Sequence, residues 1–356
     1  MTLAYNEIQG VLNKIFQEPL ADLIARSNPM LSSLTKRGVA SDAIYLKTRM
    51  SSDHAAGPIA DGSAVTIAGS EQSNYVGGSL PWATYISKFS IPKRLLAQTA
   101  NNPGVLGRLL QSEIEVAAKD LADRIASDLW AGSVTNGLVG MQAVVSDTGT
   151  YAGIDRSVAA NANWRAVVTD AQGAEISSQL LYQMDANFFN RNRYGFMERP
   201  QLFTGMTSAA FLSKYAALLT DVNLAITSGT VPAIQANALN RGMLADFGSL
   251  IGFMGIPFVR NANVTPGTGD DPNTSRLYIL DPSYWYLATL TPSPEAAVHQ
   301  ALGGQTAPVV DGIRAEIEIL GNTGEIVNGY IKTYVQLVCV DPAKGGTVLK
   351  NVDTAL

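Results

Sequence analysis

The stretch from Leu129 to Arg165, LWAGSVTNGLVGMQAVVSDTGTYAGIDRSVAANANWR, constrains the fold more than any other part of the chain. Gly132, Gly137, Gly140, Gly149 and Gly153 punctuate it, and Tyr151 and Trp164 are its aromatic anchors. Glycine reaches conformations that side chains disfavour, so this spacing describes a chain that turns repeatedly. Val139, Met141, Val144 and Val145 alternate well enough to predict a short strand between the turns.

A long helix precedes it. Asn102-Pro103 is a strong helix start, and Leu106, Leu110, Ile114, Ala117, Leu121, Ile125 and Leu129 recur at intervals of three and four. Gly132 stands where such a helix would stop, giving a rod of ~40 Å. The opposite face carries Glu113, Glu115, Lys119, Asp120, Asp123 and Arg124, which suits water. A coiled coil is the alternative, but it needs more heptads and a second such helix.

The Gly-Leu-x-Gly run at Gly137–Gly140, the Tyr-x-Gly-Ile-x-Arg cluster at Tyr151–Arg156 and the following Trp164 resemble the opening of the axial domain in tailed-phage major capsid proteins of the HK-ninety-seven fold. The run FMGIPFVRNANV at Phe253–Val264 resembles the same domain. The resemblance implies an α+β subunit with an N-terminal arm (1–42), an extended β-hairpin loop (43–92), a peripheral domain with a spine helix (93–135) and an axial α/β domain (136–308). Residues 309–356 would return as strands to the peripheral domain.

The rest of the pattern fits that order. In 5–26, Ile8, Leu12, Ile15 and Phe16 recur at helical spacing, and Pro19 splits the segment into two short helices with one apolar stripe. Ala43–Met50 and Pro81–Ile91 alternate as strands around an insert rich in Gly, Ser and Ala, which reads as a projecting hairpin. Further on, Ile176, Leu180, Met184 and Phe188 mark a helix, Gln201–Thr204 a strand, Ser208–Leu219 a helix, and Phe253–Val259 and Leu277–Leu280 buried strands. Gly312–Leu320 and Gly329–Val340 predict a long hairpin around Asn322-Thr323-Gly324.

Charged residues make up only 15% of the chain, against about 25% in an ordinary soluble domain. Little surface is left for water alone, which points to coverage by other subunits. A formal net charge of -5 and no basic run longer than two residues argue against a dedicated nucleic-acid binder. DNA would be enclosed by non-specific contact. The start MTLAYNEIQG has no basic segment followed by an apolar core, and no stretch reaches the ~20 apolar residues of a membrane span.

Catalytic signatures are missing. His54 and His299 are the only histidines and stand outside metal-site patterns, and there is no nucleophile elbow or phosphate loop. Cys339 is the sole cysteine, in an apolar run where it reads as a small buried hydrophobe. Asp270-Asp271 reads as a solvated turn, and Glu316 with Glu318 as a salt-bridge row. Tyr284, Trp285 and Tyr286 are adjacent, so in a strand they point alternately and cannot form one stacking shelf.

No enzyme, cofactor or metal site is therefore expected. The resemblance implies a virion shell protein, assembled in the bacterial cytoplasm as hexamers and pentamers around double-stranded DNA. Its partners would be further copies of itself, with portal and cement or decoration proteins. Scaffolding is expected as a separate protein, or to be absent, since only about forty residues precede the first loop strand. Candidate assembly contacts are Lys47, Arg49, Trp82 and Lys88 near the loop base, and Ile8, Leu12 and Phe16 in the arm. An encapsulin-like nanocompartment shell is the alternative, and a hydrolase with an unrecognised site the rival of another class. Between Ser51 and Ser87 there is no lysine or arginine, so a lysine-to-asparagine crosslink from the loop tip is not expected.

Overall fold

The computed structural model describes residues 34–49, 75–94, 103–132, 136–227, 252–266, 270–291, 316–323 and 326–354. The expected arm helices, with Ile8, Leu12 and Phe16, lie outside these residues, as do His54, His299 and the loop between 50 and 74. In chain order the described part opens with β1 (Thr35–Val39), β2 (Ile44–Arg49), β3 (Tyr75–Leu80), β4 (Ala83–Pro92) and the helix α1 (Pro103–Trp130).

The side of α1 chosen for burial follows the sequence period. Ile114, Ala117, Leu121, Ile125 and Leu129 are buried, along with Ala118, Ala122 and Ala126 between them. Each Leu or Ile contributes roughly 1.5–3 kcal/mol by leaving water. Small alanines let the helix approach the sheet beneath closely. The acidic and basic residues named above all face outward.

Beyond α1 the glycine-rich segment forms a single helical turn α2 (Met141–Val144), then the short ribbon β5 (Thr150–Tyr151) and β6 (Ile154–Asp155). Helix replaces the strand expected at Val139–Val145 because Met141 and Val144, three apart, both face the core and are fully buried. The chain continues through β7 (Val167–Asp170), α3 (Ser178–Asn192), β8 (Thr204–Thr207), α4 (Ala209–Thr227), β9 (Gly252–Phe253), β10 (Ile256–Arg260), β11 (Thr274–Leu280) and β12 (Trp285–Leu290). It ends with β13 (Glu316–Thr323), β14 (Ile326–Cys339), the turn α5 (Pro342–Gly345) and β15 (Gly346–Asp353).

Two main sheets organise these elements. The first runs β1-β12-β14-β13, with β4 along the other edge of β14. The 14-residue β14 is its backbone, pairing with β4 over Val335↔Ala83 to Ile326↔Pro92. Tyr85, Phe89 and Ile91 of β4 and Ile331 and Val335 of β14 are buried in the same cluster as α1. The second sheet runs β7-β15-β11-β8-β10-β9. Leu277 and Ile279 of β11 meet Leu181, Met184 and Phe188 of α3 and Phe211 and Tyr215 of α4 in one cluster. The alternate residues Tyr278 and Leu280 join the cluster that contains Trp130. Thus α3 and α4 cover one face of the second sheet, and the other face is shared with the first.

Several boundaries differ from expectation. The 43–92 segment is not one hairpin: β2 pairs with β3, while β4 turns away to join β14. Thr35–Val39, expected in the arm, is a strand parallel to β12. β12 itself, expected in the axial domain, belongs to the first sheet. Conversely β15, expected to return to the peripheral domain, lies between β7 and β11 in the second sheet. Phe253–Val259 is a tight hairpin, with Met254 and Gly255 at positive φ between β9 and β10, and the strand expected at Gln201–Thr204 is shifted to Thr204–Thr207.

For β12 and β15 the physical reason is a pair of Asp-Pro crossings. At Asp281-Pro282 and again at Asp341-Pro342 the chain leaves one sheet for the other. In each, the aspartate carboxylate accepts the N–H two residues on, at 2.9 Å from Ser283 and 3.1 Å from Ala343, and proline fits the first turn. The crossings lie side by side: the Asp281 N–H donates to the Gly345 carbonyl at 3.0 Å, as does the Trp285 indole at 2.7 Å.

Candidate functional site

Among the described residues no group of three or more His, Cys, Asp or Glu side chains could hold a metal ion. Cys339 is fully buried, and burial pushes its thiol well above the usual range, away from nucleophilic use. Asp270 forms a buried ion pair with Arg276 at 2.5 Å, and Asp271 accepts the Asn273 N–H in a turn. Tyr284 ends a short 3-10 helix, Trp285 is buried, and Tyr286 lies under the Arg37 guanidinium at 4.7 Å. The three aromatics share no shelf. No described helix is long and apolar enough to cross a membrane.

What the sequence motif builds is a junction. Arg156 is 1% exposed and donates to four carbonyls: Ala143 at 2.5 Å, Val144 at 2.8 Å, Ser146 at 2.9 Å and Gly149 at 3.2 Å. The glycine-rich segment is thus wound around one guanidinium. Burial lowers its pKa to about 10, so it stays charged at neutral pH. The Tyr151 ring stacks on Trp164 at 5.8 Å, and its hydroxyl accepts the Cys339 N–H and donates to the Cys339 carbonyl. That bond pair fastens the segment to the end of β14.

A second tie runs through buried polar side chains on β4, α1 and β14. The Tyr85 hydroxyl donates to Asp128 at 2.8 Å and accepts the Leu138 N–H at 3.0 Å, and Arg124 pairs with Asp128 at 3.1 Å. Gln336 accepts the Val139 N–H at 3.1 Å and donates to the Pro81 carbonyl at 2.8 Å. These bonds fix the plate formed by sheet, helix and junction as one piece.

The residues singled out as assembly contacts are dispersed. Trp82 is half-buried, and its indole donates to the Ser41 carbonyl at 2.8 Å, closing the corner between the β2–β3 ribbon and β4. Lys47 is exposed on β2 opposite Gly77, and Lys88 is exposed on β4 opposite Tyr330. Arg49 ends β2 opposite Tyr75. Trp82 thus has an internal structural role, whereas Lys47 and Lys88 stand on strands of different sheets. Sequence reasoning took Arg156 only as part of the resembling cluster, without its acceptors, and passed over Gln336, whose partners lie far along the chain. It also passed over the outer face of α3, where the signal was present as a helix stripe of Gln, Asn and aromatic residues without charge.

No family model and no curated protein matches the sequence. Solved structures do match. A chain of the cyanophage A-1(L) capsid aligns with a TM-score of 0.55 at 16% identity, covering 91% of this chain and 93% of that one. A chain of the holo-SrpI encapsulin complex from Synechococcus elongatus PCC 7942 aligns with a TM-score of 0.53 at 12% identity, covering 100% and 98%. The capsid of a native GTA particle gives 0.51 at 14% identity, covering 94% and 90%. At these identities the likeness is one of fold: the chain has the α+β architecture of HK-ninety-seven-type shell subunits.

Proposed function

We propose that this chain is the major capsid protein of a tailed bacteriophage. It assembles as hexamers and pentamers into an icosahedral head around double-stranded DNA, in the cytoplasm of the host, with separate scaffold, portal and cement proteins. The observation that carries this reading is the near end-to-end likeness to shell subunits, at TM-scores above 0.5, in a chain with only 15% charged residues. The mechanism is geometric and uses no catalytic centre or cofactor. A plate held rigid by the Arg156 junction and the Tyr85–Asp128 tie presents fixed edges to its neighbours. Many weak contacts then add up around a closed shell. A net charge of -5 lets enclosed DNA move without being gripped.

Purified full-length protein, alone or with its scaffold, should form capsomers and closed shells in negative-stain images and sediment as large particles. A stable monomer at high concentration under both conditions would refute the reading. The encapsulin match, which covers the whole chain, favours a second reading as a nanocompartment shell. Nuclease-protected double-stranded DNA inside native particles supports the first, and an enclosed protein cargo without DNA the second.

The shell is held together without covalent links. The loop from Ser51 to Ser87 offers no amine for an isopeptide bond, and Cys339 is too deeply buried to bridge subunits. Mature particles boiled in detergent should therefore run as one band near 37.7 kDa. A ladder of multimers that survives reduction would contradict this.

A further inference from the structure

Among the described side chains of the two helices on the second sheet, none of the exposed ones is charged. On α3 the exposed side chains are Gln179, Gln183, Ala186 and Asn190 around Tyr182 and Phe189. The two aromatics are 49% and 42% exposed and stand seven residues apart, on one face of the helix. On α4, as far as Leu218, the exposed residues are Ala209, Ala210, Ser213 and Ala217. Asp185, Arg191 and Lys214 are half-buried instead. Asp185 accepts the Met197 N–H and Arg191 donates to the Ala162 carbonyl.

The same chain treats α1 differently. From Ser112 to Ser127 six of its nine exposed positions are charged. Low overall charge therefore does not explain the bare face of α3 and α4. Water-facing helices ordinarily carry charge, whereas loss of charge with retained aromatics marks the centre of protein interfaces.

The chemistry selects the occupant. Nucleic acid needs Lys or Arg, and none stands among the exposed positions within α3 or the described part of α4, where Arg191 and Lys214 are half-buried. A strongly charged protein would lose hydration there with nothing to pair against. A second copy brings a surface with the same lack of charge, and its Ala209, Ala210, Ser213 and Ala217 offer a low strip on which two aromatic rings can rest. At ~10 Å wide, α3 at about 22 Å and the described stretch of α4 at about 15 Å present roughly 370 Å². That is below the ~800 Å² per partner of a stable complex, so the contact holds only as one of several in a closed assembly. We propose that the outer face of α3 and α4 is a contact between copies of this chain in the assembled shell, made reciprocally across a local two-fold, with Tyr182 and Phe189 of each copy seated on the α4 strip of the other. This rests on the shell reading and adds the surface it uses.

The test compares full-length wild type with Ala186→Glu and with Ala186→Gln, which adds similar bulk without charge. Ala186 is exposed and both residues favour helix, so circular dichroism should show intact folding. The concentration at which particles form should rise about ten-fold or more for Ala186→Glu and clearly less for Ala186→Gln. Independently, hydroxyl-radical footprinting of wild type should show Tyr182 and Phe189 oxidised several-fold more slowly in particles than in unassembled protein. If a variant misfolds, or the two measurements disagree, the footprint decides. Particles in which both rings stay as reactive as in free protein overturn the proposal and leave the shell reading standing. Wild type that forms no particles overturns the shell reading itself.

Discussion

Replacing Arg156 by leucine should send most of the expressed chain into the insoluble fraction and lower the melting temperature of the soluble remainder by roughly 10 °C. The side chain is buried and has no ion-pair partner among the described residues, so its worth lies in the four carbonyls it holds. Two of these, Ser146 and Gly149, also accept backbone N–H groups, from Ala166 and from Arg156 itself. Ala143 and Val144 have no such second donor in the described backbone, and each would cost about 1–3 kcal/mol when left unpaired away from water. The void left by the guanidinium adds to that. Arg156→Lys keeps the charge but cannot reach four acceptors from one nitrogen, so it should fall between wild type and leucine. Thermal melts that place Arg156→Leu within about 2 °C of wild type would show that the junction closes without its cation.

How much of this could be read from the sequence depends on how local each cause is. The helix α1 was legible because its burial repeats every three to four residues and its charges fall on one side. Tyr151 and Trp164 were legible as anchors because large aromatics in a glycine-rich run have little else to do than fill space. The crossings at Asp281-Pro282 and Asp341-Pro342 were not, since each looks like an ordinary turn, and nothing near it states which sheet the next strand joins. That is why β12 and β15 were expected in the wrong sheets. Register decides such questions, and register is a property of strands distant in sequence.

The candidate surfaces show the same limit. The spacing of Met184 and Phe188 identified α3, but the buried row runs through Leu181, while Leu180 is half-buried and Ile176 precedes the helix. Moving that row by one residue changes which side chains meet water. Only then do Gln179, Gln183 and Asn190 stand out as an exposed stripe without charge. Trp82 illustrates the converse: an aromatic near the loop base invites an intersubunit role, yet its indole is committed to Ser41 within the same chain.

Gly140→Ala should be as damaging as the loss of Arg156, for a steric reason. A Cβ at position 140 would lie 2.3 Å from the Ala131 carbonyl oxygen and 2.4 Å from that of Asp128. These belong to the end of α1 and the residue after it, and neither oxygen is free to swing aside. The Ala131 carbonyl accepts the Gln142 N–H, the Asp128 carbonyl accepts the Ala131 N–H, and the Asp128 side chain is held by Tyr85. Relief requires α1 and α2 to separate, which breaks those bonds and opens the cluster around Trp130, Leu138 and Met141. Overpacking a core side chain costs about 1–3 kcal/mol, and a clash with two fixed backbone oxygens belongs at or above the top of that range. Gly77→Ala is the matched control: it lies in β3, where an added Cβ meets nothing within 4 Å, and should change stability by no more than about 0.5 kcal/mol. Equal melting temperatures for Gly140→Ala and Gly77→Ala would mean that α1 and the glycine-rich segment do not approach each other as closely as this junction requires.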